Sequence, residues 1–278
     1  MKKTKTFLDL TFSYLTLIIV AVICIYPALW VIMSSFRPGT SLFSDTLIPA
    51  QFTFDHYATL FKKYPFGQWY YNTIKISLIS TFFGTLFTLI TGYIFSVFRF
   101  TGRKNLMNTL LVLHVFPGFM SMIAIYILLS QMNLLNTHTA LICVYVAGAP
   151  LWFLFSKTYF DTMPKSVIEA ARIDGAGHLR IFTQIILPMS KPLIVFTSLM
   201  TFNLAFTDFI FSKLILRSPE QQTLAVGLFE MINDKVASQH PFTLFAAGCV
   251  MVALPVTLLF MFMQRYLIDG LTAGADKG

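Results

Sequence analysis

Charge is scarce in this chain. Asp, Glu, Lys and Arg supply 12% of its 278 residues, where soluble domains carry about 25%. A surface so poor in charge excludes an ordinary soluble globular protein. Cysteine is scarce too: Cys24, Cys143 and Cys249 stand apart, each inside an apolar run. That spacing excludes a disulfide framework and offers no thiolate set to a metal ion, so the three read as small packing residues. Missing altogether are the patterns GxxxxGKS/T, GxSxG, HExxH and CxxC. Without the first, no loop can cradle the phosphates of ATP in the P-loop manner. Without the others, an enzyme reading has no constellation to rest on. No catalytic residue, cofactor or metal is therefore expected.

What the chain has in abundance is apolar length: 56% of its residues are hydrophobic and 30 are Phe. A helix needs about 20 apolar residues to cross the hydrocarbon core of a bilayer. Runs of that kind give spans at about 12–33, 76–98, 108–130, 139–157, 192–211 and 242–264. The charge-free run from Asn105 to Ser156 is too long for one crossing and divides at the polar turn 131–138. The expected architecture is an all-α membrane protein, a single domain 1–278 with six transmembrane helices. Lys2, Lys3 and Lys5 ahead of an apolar stretch look like a secretory signal. The stretch is longer than the about 7–15 residues of a signal core and has no Ala-x-Ala site, so it reads as a retained span.

Lys and Arg placement sets the orientation. With the N-terminus inside, 13 of the 20 Lys and Arg residues fall on inner segments and 7 on outer ones, the bias typical of cytoplasmic loops. The net charge of +8 thus speaks for orientation rather than nucleic-acid binding. Both termini are expected in the cytoplasm, with a loop at 158–191 and a tail at 265–278. The first outer segment, 34–72, is rich in aromatics such as Phe52, Phe54, Trp69 and Tyr71. They suit an interfacial belt or a landing surface for an outside partner.

One inner loop is unlike a linker. Residues Glu169 to Pro192 read EAARIDGAGHLRIFTQIILPMSKP. Ser166 and Glu169 have capping-box spacing for a helix start. Glu169 and Arg172 stand three apart, close enough to pair on one face. Asp174-Gly175 offers a stop in which Gly takes positive φ. A second amphipathic helix from about His178 would bury Leu179, Phe182, Ile185 and Ile186, with Pro188 and Pro192 ending it. These features fit a helix pair that lies on the membrane and merely links two spans. They also fit a docking element.

The same string resembles, position for position, the signature loop of ABC-importer permease subunits: Glu169-Ala170-Ala171, two variable residues, Asp174-Gly175-Ala176, then Phe182, Ile185, Leu187-Pro188 and Pro192. The resemblance implies that this loop, with Ser166 at its start, is a coupling helix docking in a cleft of a cytoplasmic ATPase. Ala170 and Ala171 would permit close approach, Glu169 would offer a charge-assisted contact and Gly175 a sharp turn. Asn72-Thr73, the loop from Arg99 to Lys104, Phe116-Pro117, Leu135 to His138, Leu224 to Gly227, Ala253-Leu254-Pro255 and the ending from Gln264 to Gly274 resemble the carbohydrate branch of that family, closest in kind to the smaller membrane subunit of maltose/maltodextrin importers. That implies carbohydrate import driven by a dimer of ABC ATPase subunits. It also implies a second, paralogous permease subunit, an extracellular sugar-binding protein, and a tail whose Gly270, Leu271, Thr272, Ala273 and Gly274 touch the ATPase.

Asp208, near the outer end of span 5, and His114, in span 3, are ionisable residues near membrane depth. Asp208 reads as a functional group or as a residue of the headgroup region near Lys213 where the span ends, and His114 as a proton relay or a hydrogen-bonded packing residue. Pro27, Pro117, Pro150 and Pro255 fall within spans and can kink them. An ion-driven secondary transporter would need more intramembrane acids than Asp208, and commonly an internal repeat. A scaffold without transport would need neither.

Overall fold

The computed structural model describes residues 2–40, 45–115, 118–148, 152–233 and 242–275, with the backbone alone described at 2–9, 114–115, 118–119 and 267–275. Every regular element among them is helical, as expected where segments must satisfy their own backbone groups away from water. In chain order these are α1 (Lys2–Ser35), α2 (Asp55–Lys63), α3 (Phe66–Val97), α4 (Arg103–Val115), α5 (Gly118–Gln131), α6 (His138–Gly148) and α7 (Phe153–Asp161). Then come α8 (Lys165–Ile173), α9 (His178–Ile181), α10 (Leu187–Met189), α11 (Lys191–Thr207), α12 (Ile210–Ile215), α13 (Leu224–Asn233) and α14 (Phe242–Ala275).

Among the described residues, four stretches are long and apolar enough to cross a membrane: Leu10–Ser35, Phe66–Val97, His138–Asp161 and Phe242–Tyr266. The pair His178–Met189 and Lys191–Thr207 is apolar enough only when taken together, and it bends by 83° at Ser190. The expected span 3 is divided between α4 and α5. Phe116-Pro117, between them, and Pro150 lie outside the described residues, as does the His114 side chain. Both α1 and α14 continue through their prolines, Pro27 and Pro255.

Three boundaries differ from expectation. α3 begins at Phe66 rather than 76, so Trp69, Tyr70 and Tyr71 are helical. Trp69 is buried, and its ring lies 2.2 Å from where a Cβ on Gly227 would stand. Gly227 is what admits the ring, and the belt reading is lost for Trp69 while Phe52, Phe54 and Tyr71 stay exposed. α11 stops at Thr207, short of 211, because Asp208 leaves the helix to cap α12. α14 runs on through the expected tail, so the backbone of Gly270 to Gly274 is helical; their side chains lie outside the described residues.

The residues form two compact units, Met1–Phe66 with Leu228–Leu254, and Gly67–Gly227 with Pro255–Gly278. In the first, α1 is exposed from Leu10 to Leu29, a surface that suits lipid or another helix rather than water. An aromatic knot closes its end: the Phe36 ring lies 5.3 Å from Phe54 and 5.6 Å from Tyr57, whose hydroxyl meets Ser35 Oγ at 2.7 Å.

The second unit holds two apolar clusters. Ile76, Leu141, Tyr145, Phe211 and Ile215 anchor one. Leu89, Tyr93, Phe160, Ile181, Phe182, Ile186 and Leu193 form the other. Polar side chains then pin the segment 217–224. Asn72 Nδ2 donates to the carbonyls of Glu220 (2.8 Å) and Gln222 (2.9 Å), while its Oδ1 accepts from Gln68 (2.9 Å). Thr73 Oγ1 accepts from the Leu224 amide at 2.9 Å. Asn136, at φ +60°, accepts the amides of Arg217 and Ser218, each at 2.9 Å. Asn tolerates that left-handed backbone better than other non-glycine residues. His138 Nε2 lies 2.9 Å from the Gln221 carbonyl, so Asn72, Thr73, Asn136 and His138 are fastenings of one segment.

Candidate functional site

The loop 162–190 packs part of its apolar side chains into the second cluster and leaves others exposed. α8 starts directly after Pro164, which occupies the cap with φ −61° and ψ 117°. Ser166 thus falls inside the first turn and makes no capping bond, because the proline already sets the chain's entry. Glu169 is exposed and closes no ion pair with Arg172. The capping box and that pair are both corrected.

The end of α8 is built as expected, and in more detail. Gly175 sits at φ +81°. The Ala176 amide donates to Ala171 O at 2.9 Å and the Gly175 amide to Arg172 O at 3.0 Å, the paired bonds of a Schellman cap. Asp174 donates its amide to Ala170 O at 3.0 Å. Buried Ala171 packs with Ala176 inside the second cluster, while Ala170 faces out. A side chain at 175 would meet no atom, so its difficulty is backbone conformation alone; Gly177 lacks even that.

The next helix seats Phe182, Ile185 and Ile186 as expected, but with Ile181 in place of Leu179. Ile181, Phe182 and Ile186 are buried and Ile185 is partly so, whereas Leu179 is 77% exposed. Phe182 stacks 4.8 Å from Tyr93, and the His178 ring 4.5 Å from Phe98. His178, Ile181, Phe182, Ile185 and Ile186 follow the i, i+3, i+4, i+7, i+8 pattern of one helix face. The set containing Leu179 needed an i+6 step, and that irregularity was the sign against it. Ile173, on the other side of the turn, is 86% exposed. Two large aliphatic side chains thus flank a hydrogen-bonded turn, left uncovered among the described residues.

Toward its end the helix changes register. Pro188 has no amide to give, and the ladder slips to a π turn over Phe182–Ile186, in which the Leu187 amide donates to Phe182 O. Buried Ser190 makes the bend, its hydroxyl donating to Ile186 O at 2.5 Å. Pro192 opens α11 rather than ending the helix before it. Leu187 and Pro188 belong to this joint and lie apart from the exposed turn.

Asp208 is a structural group. Its Oδ2 accepts from the Tyr145 hydroxyl (2.5 Å), the Ser212 hydroxyl (3.0 Å) and the Ser212 amide (3.0 Å), and its Oδ1 accepts from the Phe211 amide (3.1 Å). It caps α12 and ties that helix to α6. Tyr145, which sequence reading passed over, is the other half of the tie.

The sequence matches the family model for the inner membrane component of binding-protein-dependent transport systems over residues 84–272. It is 42% identical to a galactooligosaccharides transport system permease protein of Bacillus subtilis (strain 168), over 99% of this chain and 98% of that one. A maltodextrin transport system permease protein of the same organism is 38% identical, over 99% of each chain. The maltose/maltodextrin transport system permease protein of Escherichia coli (strain K12) is 32% identical, over 100% of this chain and 98% of that one. A bacterial ABC transporter that imports the acidic polysaccharide alginate has a chain of the same fold, at TM-score 0.79 and 22% identity, over 91% of this chain and 94% of that one.

Proposed function

This chain belongs to the family of inner membrane components of binding-protein-dependent transport systems and is a permease subunit of a carbohydrate ABC importer, and from that premise we propose that it passes a neutral oligosaccharide inward by alternating access. Maltodextrin is the substrate its motifs suggest. The 42% relative favours a galacto-oligosaccharide as the second candidate. Six crossings with both ends cytoplasmic complete the reading: α4 with α5 forms one, and α11 supplies another, with α8 to α10 in the cytoplasmic loop before it.

The loop around Gly175 is the point of force transfer. The observation that carries this is the exposure of Ile173 and Leu179, at 86% and 77%, on either side of a turn fixed by two backbone hydrogen bonds. A flexible loop would absorb a push. A capped turn seated on Tyr93, Phe160 and Leu193 passes it to α3, α7 and α11. Closure of an ATPase dimer around it would move these helices as a body. Glu169, Ala170 and Asp174, exposed on the same turn, are its rim. A second permease subunit and an outer sugar-binding protein complete the transporter, and the helical stretch Gly270 to Gly274 is a further ATPase contact.

The ion-coupled alternative needs an acid free to exchange a cation. Asp208 is committed to four hydrogen-bond donors, which argues against it in that role. The test is uptake of labelled maltotriose and of a galacto-trisaccharide by proteoliposomes holding the complete transporter. ATP-dependent uptake of either is expected. Uptake driven by an ion gradient without ATP overturns the reading.

Gly175→Val provides a second test. A β-branched residue at φ +81° costs about 1–3 kcal/mol of local strain, enough to break the turn while leaving the spans folded. Sugar uptake should fall at least about tenfold with ATP hydrolysis retained, whereas Gly177→Ala, at φ −70°, should behave as wild type. Uptake and hydrolysis that stay coupled in Gly175→Val remove the turn from the mechanism.

A further inference from the structure

Beside the turn, where the ends of α3 and α7 meet α4 and α8, lies a groove of about 430 Å³. Arg99, Arg103, Lys157, Lys165 and Arg172 all line it, against two carboxylates, Asp161 and Glu169. Asp161 is already committed: Lys157 pairs with it and the Ser96 hydroxyl donates to it at 2.7 Å. Arg103 is held in place through its Nε, which donates to the Phe95 carbonyl at 3.0 Å. Among the described residues, Arg99, Lys165 and Arg172 close no ion pair. Five cationic side chains against two carboxylates leave an excess of positive charge in one concavity, which a further anion would offset.

Position selects the kind of anion. The candidate spans Phe66–Val97 and His138–Asp161 both end at the groove's rim, so it stands where hydrocarbon gives way to headgroups. The helix that supplies Arg103 continues with Leu106, Val112 and Leu113, each about half exposed, a surface for acyl chains. A free anion would use the charges alone; a phospholipid uses both. Basic pockets at helix ends on the cytoplasmic side are suited to phosphate headgroups, and a planar guanidinium can grip two phosphate oxygens at once.

We propose that this groove holds the headgroup of an anionic phospholipid of the inner leaflet, beside the coupling turn; the choice of leaflet rests on the cytoplasmic orientation proposed above. A lipid there touches α8 directly, through Lys165 and Arg172, and so braces the element through which force enters.

The test is native mass spectrometry of the full chain with the subunits that co-purify, released from nanodiscs of mixed phosphatidylglycerol and phosphatidylcholine. Wild type should retain phosphatidylglycerol in preference to phosphatidylcholine. Arg99→Gln with Lys165→Gln should weaken that preference by about tenfold or more, as the loss of two charges near a headgroup implies. Lys62→Gln with Lys63→Gln, on α2, should leave it unchanged. If the first pair does not accumulate, Arg99→Gln alone is read by the same ratio. Equal retention of the two lipids, or a preference untouched by the groove variants, overturns the proposal. So does release of the lipid by millimolar inorganic phosphate, which marks a simple anion site, or its absence whenever the ATPase is bound. Retention is read without transport. A bound lipid in a chain that fails ATP-driven uptake would sink the transport reading and leave this one standing.

Discussion

Ile173→Asp combined with Leu179→Asp should yield a chain that inserts and folds normally yet no longer co-purifies with its ATPase. Both side chains are largely exposed, so the folded subunit loses almost nothing with them; surface changes of this kind usually stay within about 0.5 kcal/mol. Docking is another matter. Burying a large aliphatic side chain contributes about 1.5–3 kcal/mol, and two of them form the apolar part of the turn. Placing carboxylates in the same cleft adds a desolvation cost of about several kcal/mol. Together these weaken association by about a thousandfold or more. Pull-down on a tagged ATPase subunit reads the result, with uptake as the second measure. Undiminished co-purification would show that the turn is not where the ATPase holds this subunit.

Asn72→Ala should produce the largest loss of stability. The Asn72 side chain is fully buried and makes three hydrogen bonds, two of them to the carbonyls of Glu220 and Gln222. Alanine leaves both carbonyls without that donor, at about 1–3 kcal/mol each. The segment they belong to leads into α13, and Thr73 holds its last amide from the same turn of α3. The expected result is a lower unfolding temperature in detergent and new protease cuts within 217–224. Asn72→Asp should be worse, since a carboxylate donates nothing and would face two carbonyl oxygens. Wild-type unfolding in either variant would mean that the segment is fixed by other contacts.

The candidate turn was legible because its chemistry is local. Only glycine adopts φ +81° without strain, and the spacing from Ala171 to Ala176 lies within two helical turns. Ser166 misled because a capping box is a pattern of side chains, and the proline ahead of it decided the start on backbone grounds. Leu179 misled because an apolar side chain reads as inward even where it breaks the helical period of the buried face. The burial of Ile181 is set by Tyr93 and Phe160, and neither is near in sequence.

Composition and order alone determined the class of molecule: too little charge for water, enough apolar length for several crossings, and helices throughout. These are properties of single residues or of windows a few turns long, so no knowledge of the fold is required. Only the tertiary structure decided that Asn72 fastens carbonyls some 148 and 150 positions away. It alone decided that Asp208 is spent on a helix cap, that Trp69 lies against Gly227, and that Ile173 and Leu179 are left uncovered. Burial and hydrogen-bond partnership are settled by whichever distant segment arrives alongside, and an apolar chain offers many segments of nearly equal claim.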